Sequence, residues 1–239
     1  MRQFLCALCF SIILMPLAQG QAAAGNSNAK EPDPRLRPGV FGWGLRKAPI
    51  TDPSLPKVLL IGDSILDGYR ATVAEGLKGK ATVDAWIQPY HQNSPELPAE
   101  LKRVLAQDHY KVIHFNMGLH GWLKGRIPEE QFDPLTRKLV RMIRDQAPGA
   151  VLIWASTTPT WEPKNPKELN QAINPVILEH NAMAAKIMRE EKIPIDDLYG
   201  LLVNQPQSAL KDGIHWKQEG YTTLGAAVAD ITLKHLEAK

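Results

Sequence analysis

From Lys57 onward the chain alternates short apolar runs with longer segments whose apolar residues recur every three or four positions. The short runs, rich in branched side chains and bounded by turn residues, read as buried strands: Val58 to Ile61, Ala81 to Ile87, Lys111 to Asn116, Ala150 to Ala155, and a weaker one at Ile193 to Leu198. Helical spacing fills the gaps. It carries Ile65, Leu66, Tyr69 and Val73 after Ser64, runs over Glu96 to Gln107, and recurs at Leu135, Leu139, Met142 and Ile143. It returns at Val176, His180, Met183 and Ile187, and last at Tyr221, Leu224, Val228 and Ile231. Strands alternating with amphipathic helices predict an α/β domain: a single doubly wound, mostly parallel five-stranded sheet flanked by helices.

Before Lys57 the pattern changes twice. Residues 25–56 are proline-rich, are broken further by Gly39, Gly42 and Gly44, and show no periodicity. They read as an extended lead-in that wraps the domain, with Phe41 and Trp43 as packing anchors, and not as a domain of their own. Residues 1–24 have Arg2, an apolar core from Phe4 to Leu17, and then small residues. That is the pattern of a secretory signal peptide, and the apolar core is short for a membrane span of about 20 residues. The expected product is exported, periplasmic or secreted, with no stable membrane insertion after cleavage and with residues 57–239 as one catalytic domain.

Composition narrows the classes. Both cysteines, Cys6 and Cys9, fall in the signal segment, so a cleaved product has no disulfide scaffold, cysteine nucleophile or cysteine-ligated metal. The 239 residues are 44% hydrophobic with a formal net charge of +3. Basic and acidic residues are interspersed without long runs, so nucleic acid is not an expected partner.

In doubly wound sheets, ligands bind beyond the carboxyl ends of the strands. The first such end reads Gly62-Asp63-Ser64. Asp and Ser cap helix N-termini, so a serine is presented at a strand-to-helix turn, beside backbone N–H groups that favour negative charge. Asn116 falls at the end of the third strand, where its amide can donate to an oxyanion; next to Gly118 it equally reads as a turn residue. Asp212 and His215 stand three apart in LKDGIHWKQEGY, just before the last helix. A carboxylate so placed can hold an imidazole tautomer while the other ring nitrogen takes a proton from serine.

Taken in order, GDSIL after the first strand, an Asn after the third and DGIH before the final helix resemble the SGNH hydrolases, or GDSL esterases and lipases. The resemblance runs from about Lys57 to the C-terminus and implies a flavodoxin-like SGNH hydrolase fold. It implies Ser64 as nucleophile, His215 as general base and Asp212 as the carboxylate that orients it. The Ser64 backbone N–H and Asn116 would form the oxyanion hole, with no metal or organic cofactor. Two departures stand out. The family's glycine after the second strand is missing from WIQPYHQNSP, where Asn93 or Ser94 would take its place. The third block reads HFNMGLHGW, similar to a subgroup with Phe-Asn-x-Gly-Leu-His.

Among rivals, His120 lies near Asn116 but has no acid at a defined spacing. His91, His109, His114 and His180 lack metal-ligand spacing and read as structural or solvated. Asp67 and Arg70 suit surface roles, and the G-x-S-x-G elbow of α/β-hydrolases is absent. For the substrate, Asp63 beside the nucleophile and Trp122, Trp161 and Trp216 near strand ends or the His215 loop are candidate contacts, since an aromatic rim stacks on sugar rings. The long polar stretch TTPTWEPKNPKELN reads as a substrate-binding loop. The expected reaction is hydrolysis of short-acyl, above all acetyl, esters of a small molecule or carbohydrate. The alternatives are a carbohydrate O-acetyltransferase, a lysophospholipase or thioesterase, and a non-catalytic sugar-binding protein on the same scaffold.

Overall fold

The computed structural model describes residues 42–121, 126–163, 165–210 and 212–238. Every described residue belongs to one compact unit, Asp33–Lys239. The signal segment, its two cysteines and Phe41 lie outside the described residues.

That unit is built on a sheet of six strands, not five. At its centre β2 (Lys57–Gly62) pairs in parallel with β3 (Thr82–Ile87) and β4 (Tyr110–Phe115). Beyond β4 come β5 (Val151–Ala155) and the short β8 (Ile195–Asp196), also parallel. The added strand, β1 (Gly44–Arg46), comes from the lead-in and pairs antiparallel with β3, Leu45 opposite Trp86. Downstream of it, the Ala48 N–H donates to the fully buried Asp84 carboxylate at 2.9 Å. Nearby Trp43 packs on the core, as the sequence suggested.

Both faces of the sheet are covered, which is why the central strands show continuous apolar runs instead of alternation. Val58 and Leu60 face α1 (Ser64–Gly76) and α6 (Gln218–Glu237), while Leu59 and Ile61 face α2 (Leu97–Leu105), α3 (Glu129–Gln146) and α4 (Asn174–Glu190). Two further elements escaped the periodicity. The polar stretch after β5 folds into a hairpin of β6 (Trp161–Glu162) and β7 (Asn165–Leu169), and α5 (Leu198–Leu202) follows β8.

One helix pair sets the position of the chemistry. A Cβ on Gly68 of α1 would sit 2.2 Å from the Tyr221 ring of α6, and one on Gly225 of α6 would sit 2.5 Å from the Thr72 Cβ of α1. The two glycines therefore let the helices approach more closely than side chains would permit. Their N-terminal ends carry Ser64 and the loop just ahead of α6, which holds His215.

Candidate active site

Val58–Ile61 ends at Gly62 with no room for a side chain, since a Cβ there would lie 2.8 Å from the Leu66 Cβ. Asp63 then caps α1, its Oδ1 accepting the Ile65 N–H at 2.9 Å. This makes Ser64 the first residue of the helix, so its own N–H has no intrahelical acceptor.

His215 reaches that serine from the loop before α6. Its Nε2 lies 2.9 Å from the Ser64 Oγ, and its Nδ1 lies 2.7 Å from the Asp212 Oδ2. The other carboxylate oxygen of Asp212 accepts the backbone N–H groups of Ile214 and His215, each at 2.9 Å. Burial pushes the Asp212 carboxyl up, but those two N–H groups and the His215 ring more than offset it and hold the group below its usual value. The loop is pinned on both sides. Trp161 N–H donates to the Gly213 carbonyl, while Leu210 N–H and Lys217 N–H donate to the His215 and Ser208 carbonyls.

The fold brings Ser64 and His215 together from 151 positions apart. The arrangement can pass a proton from the Ser64 hydroxyl to His215, with Asp212 fixing the imidazole by Nδ1 and stabilising the imidazolium. Asn116 also falls where expected. It lies just past the end of β4, on the wall of a small pocket that also takes in Gly62, Asp63, Ile65, Tyr69, Thr157 and Leu198. Tyr69 stays a neutral phenol, its pKa raised by burial and then by the negative charges of Asp196 and Asp63.

Other candidates are placed differently. Asn93 is exposed, and its amide donates to the Arg126 carbonyl at 3.1 Å. Ser94 bonds within its own loop, accepting the His91 N–H. Trp161 and Trp216 are 4% and 1% exposed and belong to the core on the α1–α6 face, not to an aromatic rim. Both tryptophans flank loops that fold back onto the domain, which sequence position could not reveal. Trp122 lies outside the described residues. Asp63 does line the pocket, though buried and engaged as the helix cap, with its Oδ2 3.8 Å from the His120 Nε2.

Among the rivals, Asp67 and Arg70 pair with each other on the exposed side of α1. His114 is fully buried and bonded to Asp196 at 2.9 Å, and His180 stacks on Phe132. No cluster of His, Cys, Asp or Glu among the described residues suits a metal ion, and no described helix is long and apolar enough to cross a membrane. Sequence reasoning missed Thr157. The strand-end rule pointed at the segment carrying Thr157 but not at the residue.

Residues 60–223 match the model of the GDSL-like lipase/acylhydrolase family. Similar solved structures include a carbohydrate acetylesterase family member from Sinorhizobium meliloti, 16% identical, with a TM-score of 0.62 over 77% of this chain and 100% of that one. A carbohydrate esterase family 3 protein from Talaromyces cellulolyticus gives 0.60 at 13% identity, over 77% and 99% of the two chains. A member of the lipolytic protein G-D-S-L family from Veillonella parvula gives 0.56 at 17% identity, over 73% and 97%. A comparison with curated proteins gives no match.

Proposed function

The chain belongs to the GDSL-like lipase/acylhydrolase family and is an ester hydrolase of that type, and on that premise we propose an exported serine esterase that removes acetyl or similarly short acyl groups, with acylated carbohydrate as the substrate class. The observation that carries the reading is the unbroken run of contacts from Ser64 Oγ through His215 to Asp212, at 2.9 and 2.7 Å.

In this reading His215 Nε2 takes the Ser64 proton as Oγ attacks the ester carbonyl. The tetrahedral oxyanion is met by the Ser64 N–H at the positive end of α1 and by the Asn116 amide. His215 returns its proton to the departing alcohol oxygen, leaving an acyl-serine. Water, deprotonated by the same imidazole, then releases the acid.

The short acyl chain draws on the acetylesterase name of one structural neighbour. The carbohydrate preference draws on the acetylesterase and carbohydrate esterase names of two structural neighbours. Export draws on residues 1–24.

The test is hydrolysis of p-nitrophenyl esters from acetyl to long-chain by the protein lacking residues 1–24, beside Ser64→Ala and His215→Ala. The reading expects acetyl ester to be the best substrate, with a loss of about a thousandfold or more in each variant. Equal activity of parent and Ser64→Ala would sink it, and a preference for long acyl esters would replace the substrate. Acetylated xylan or chitin oligomers are the next substrates, with acetate release as the readout.

A further inference from the structure

The amide of Asn116 is held in one orientation. Its Nδ2 donates to the Ala155 carbonyl at 2.7 Å and leans on the Thr157 Oγ1 at 3.3 Å, while its Oδ1 accepts the Gly118 N–H at 3.2 Å. A flipped amide would set two acceptors against each other at Ala155 and two donors at Gly118. One N–H of Nδ2 is thus committed to a short bond. The second is held by a long contact to a hydroxyl on the pocket wall, which leaves it open to a second acceptor.

Thr157 is itself fixed from behind. Its N–H donates to the Asn181 Oδ1 and its carbonyl accepts from the Asn181 Nδ2, both at 2.9 Å, closing a ring of hydrogen bonds between α4 and the end of β5. Its hydroxyl fills the space that a side chain at 118 would need, since a Cβ on Gly118 would fall 1.5 Å from the Oγ1. The neighbouring Ser156 has no comparable freedom, because its Oγ donates to Asp197 and accepts the Tyr199 N–H.

We propose that Thr157, clamped by Asn181, is the positioning residue of Asn116: its hydroxyl holds the second amide N–H at the pocket wall through a long contact that the oxyanion on Ser64 can share without the side chain turning. The proposal rests on the esterase reading above. Preorganised donors stabilise developing charge without reorganising during the reaction. Here the rotation of one side chain is restrained by a hydroxyl that accepts and by a neighbouring backbone that Asn181 keeps still.

Thr157→Val is the discriminating variant, because it keeps the shape of the side chain and the backbone clamp while removing the acceptor. Turnover of p-nitrophenyl acetate would be measured for the parent, Thr157→Val, Thr157→Ser, Asn116→Ala and the Asn116→Ala/Thr157→Val pair. The Asn116 side-chain amide resonances, assigned by their loss in Asn116→Ala, would be followed by NMR. Thr157→Val is expected to lower kcat about tenfold, short of the 10²–10³ for losing a donor outright, with KM within about twofold. It should also shift the Asn116 amide protons. Thr157→Ser restores both, and in the Asn116→Ala background the valine adds nothing further.

Parental kcat in Thr157→Val, unmoved Asn116 resonances, or full additivity with Asn116→Ala would each overturn the positioning role while leaving the esterase reading intact. A parent no more active than Ser64→Ala overturns that reading and this inference together.

Discussion

The Trp161 N–H donates to the Gly213 carbonyl at 2.7 Å, joining the β6–β7 hairpin to the backbone between Asp212 and His215. Gly213 has φ +73°, and a Cβ there would lie 2.0 Å from the Trp161 carbonyl oxygen, which is backbone and cannot swing aside. The hairpin therefore buttresses the loop that aims the imidazole at Ser64.

Gly213→Ala is accordingly expected to fail twice. A left-handed conformation costs a non-glycine residue about 1–3 kcal/mol, and the clash must also push the loop off the hairpin. Gly149→Ala separates the two effects. Gly149 also has positive φ (+84°), but nothing lies within 4 Å of its added Cβ, and it precedes β5 at the end of the sheet away from Ser64. Both variants should lower the denaturation midpoint, whereas only Gly213→Ala should lower kcat. Parental kcat in Gly213→Ala would show that the buttress does not position His215.

Asp212→Asn tests the carboxylate itself. The amide keeps the size but can present its NH₂ to His215 Nδ1, which favours the wrong imidazole tautomer. A loss of about 10³-fold or more in kcat is expected, with the fold unchanged by circular dichroism. The acid limb should change as well. Because the folded carboxyl sits below its usual value near 4, Asp212 adds stability that is present above about pH 4 and lost as pH falls through the folded value. Denaturation midpoints at pH 6 and pH 3 should therefore fall less in the variant than in the parent.

Much of this arrangement was legible because it is local. A run such as Val58–Ile61 buried on both faces, a serine beside a capping aspartate, and Asp-x-x-His ahead of a helix are each written in neighbouring residues. What was not legible depends on chain that returns from elsewhere. Gly44–Arg46 has no alternation of its own and is a strand only because Thr82–Ile87 offers it an open edge. Trp161 and Trp216 look the same in sequence whether they rim a pocket or fill a core, and the hairpin and the isolated bridge between Ala209 and Trp216 decide for the core. Asn93 resembles a donor until the Arg126 carbonyl occupies it. Thr157 acquires its place from Asn181 on a later helix.

His91 predicts a pH dependence of stability independent of the reaction. Its ring is buried with no hydrogen bond at Nδ1, and burial first, then the charges of Arg126 and His120, push its pKa down to about 3. The unfolded chain takes up this proton near pH 6.5, so between about 6.5 and 3 the unfolded state binds more protons than the folded one. Stability thus falls as pH falls through that window. From pH 7 to pH 5 the His91 share amounts to up to about 2 kcal/mol at 1.36 kcal/mol per unit. Urea denaturation should show that loss in the parent and a smaller one in His91→Gln. Equal losses would mean that His91 is protonated in the folded state.

Gly68 offers the sharpest test of how the helices bring the site together. In open helix, Gly→Ala stabilises by up to about 1 kcal/mol through lower backbone entropy in the unfolded chain. At Gly68 the added methyl would lie 2.2 Å from two ring atoms of Tyr221, so the ring must turn or α6 must move away from α1. Overpacking of this kind costs about 1–3 kcal/mol, enough to outweigh the helical gain, and Gly68→Ala should lower the denaturation midpoint. A displaced α6 also carries its preceding loop and lengthens the Ser64–His215 contact of 2.9 Å, so kcat should fall with KM little changed. Trimming the obstacle separates the causes. If the loss arises from the ring, Gly68→Ala in a Tyr221→Leu background should cost less than in the parent, both in stability and in kcat, giving a non-additive pair. An additive pair, or a Gly68→Ala protein more stable than the parent, would show that the close approach of α1 and α6 is not what sets the distance between the serine and the histidine.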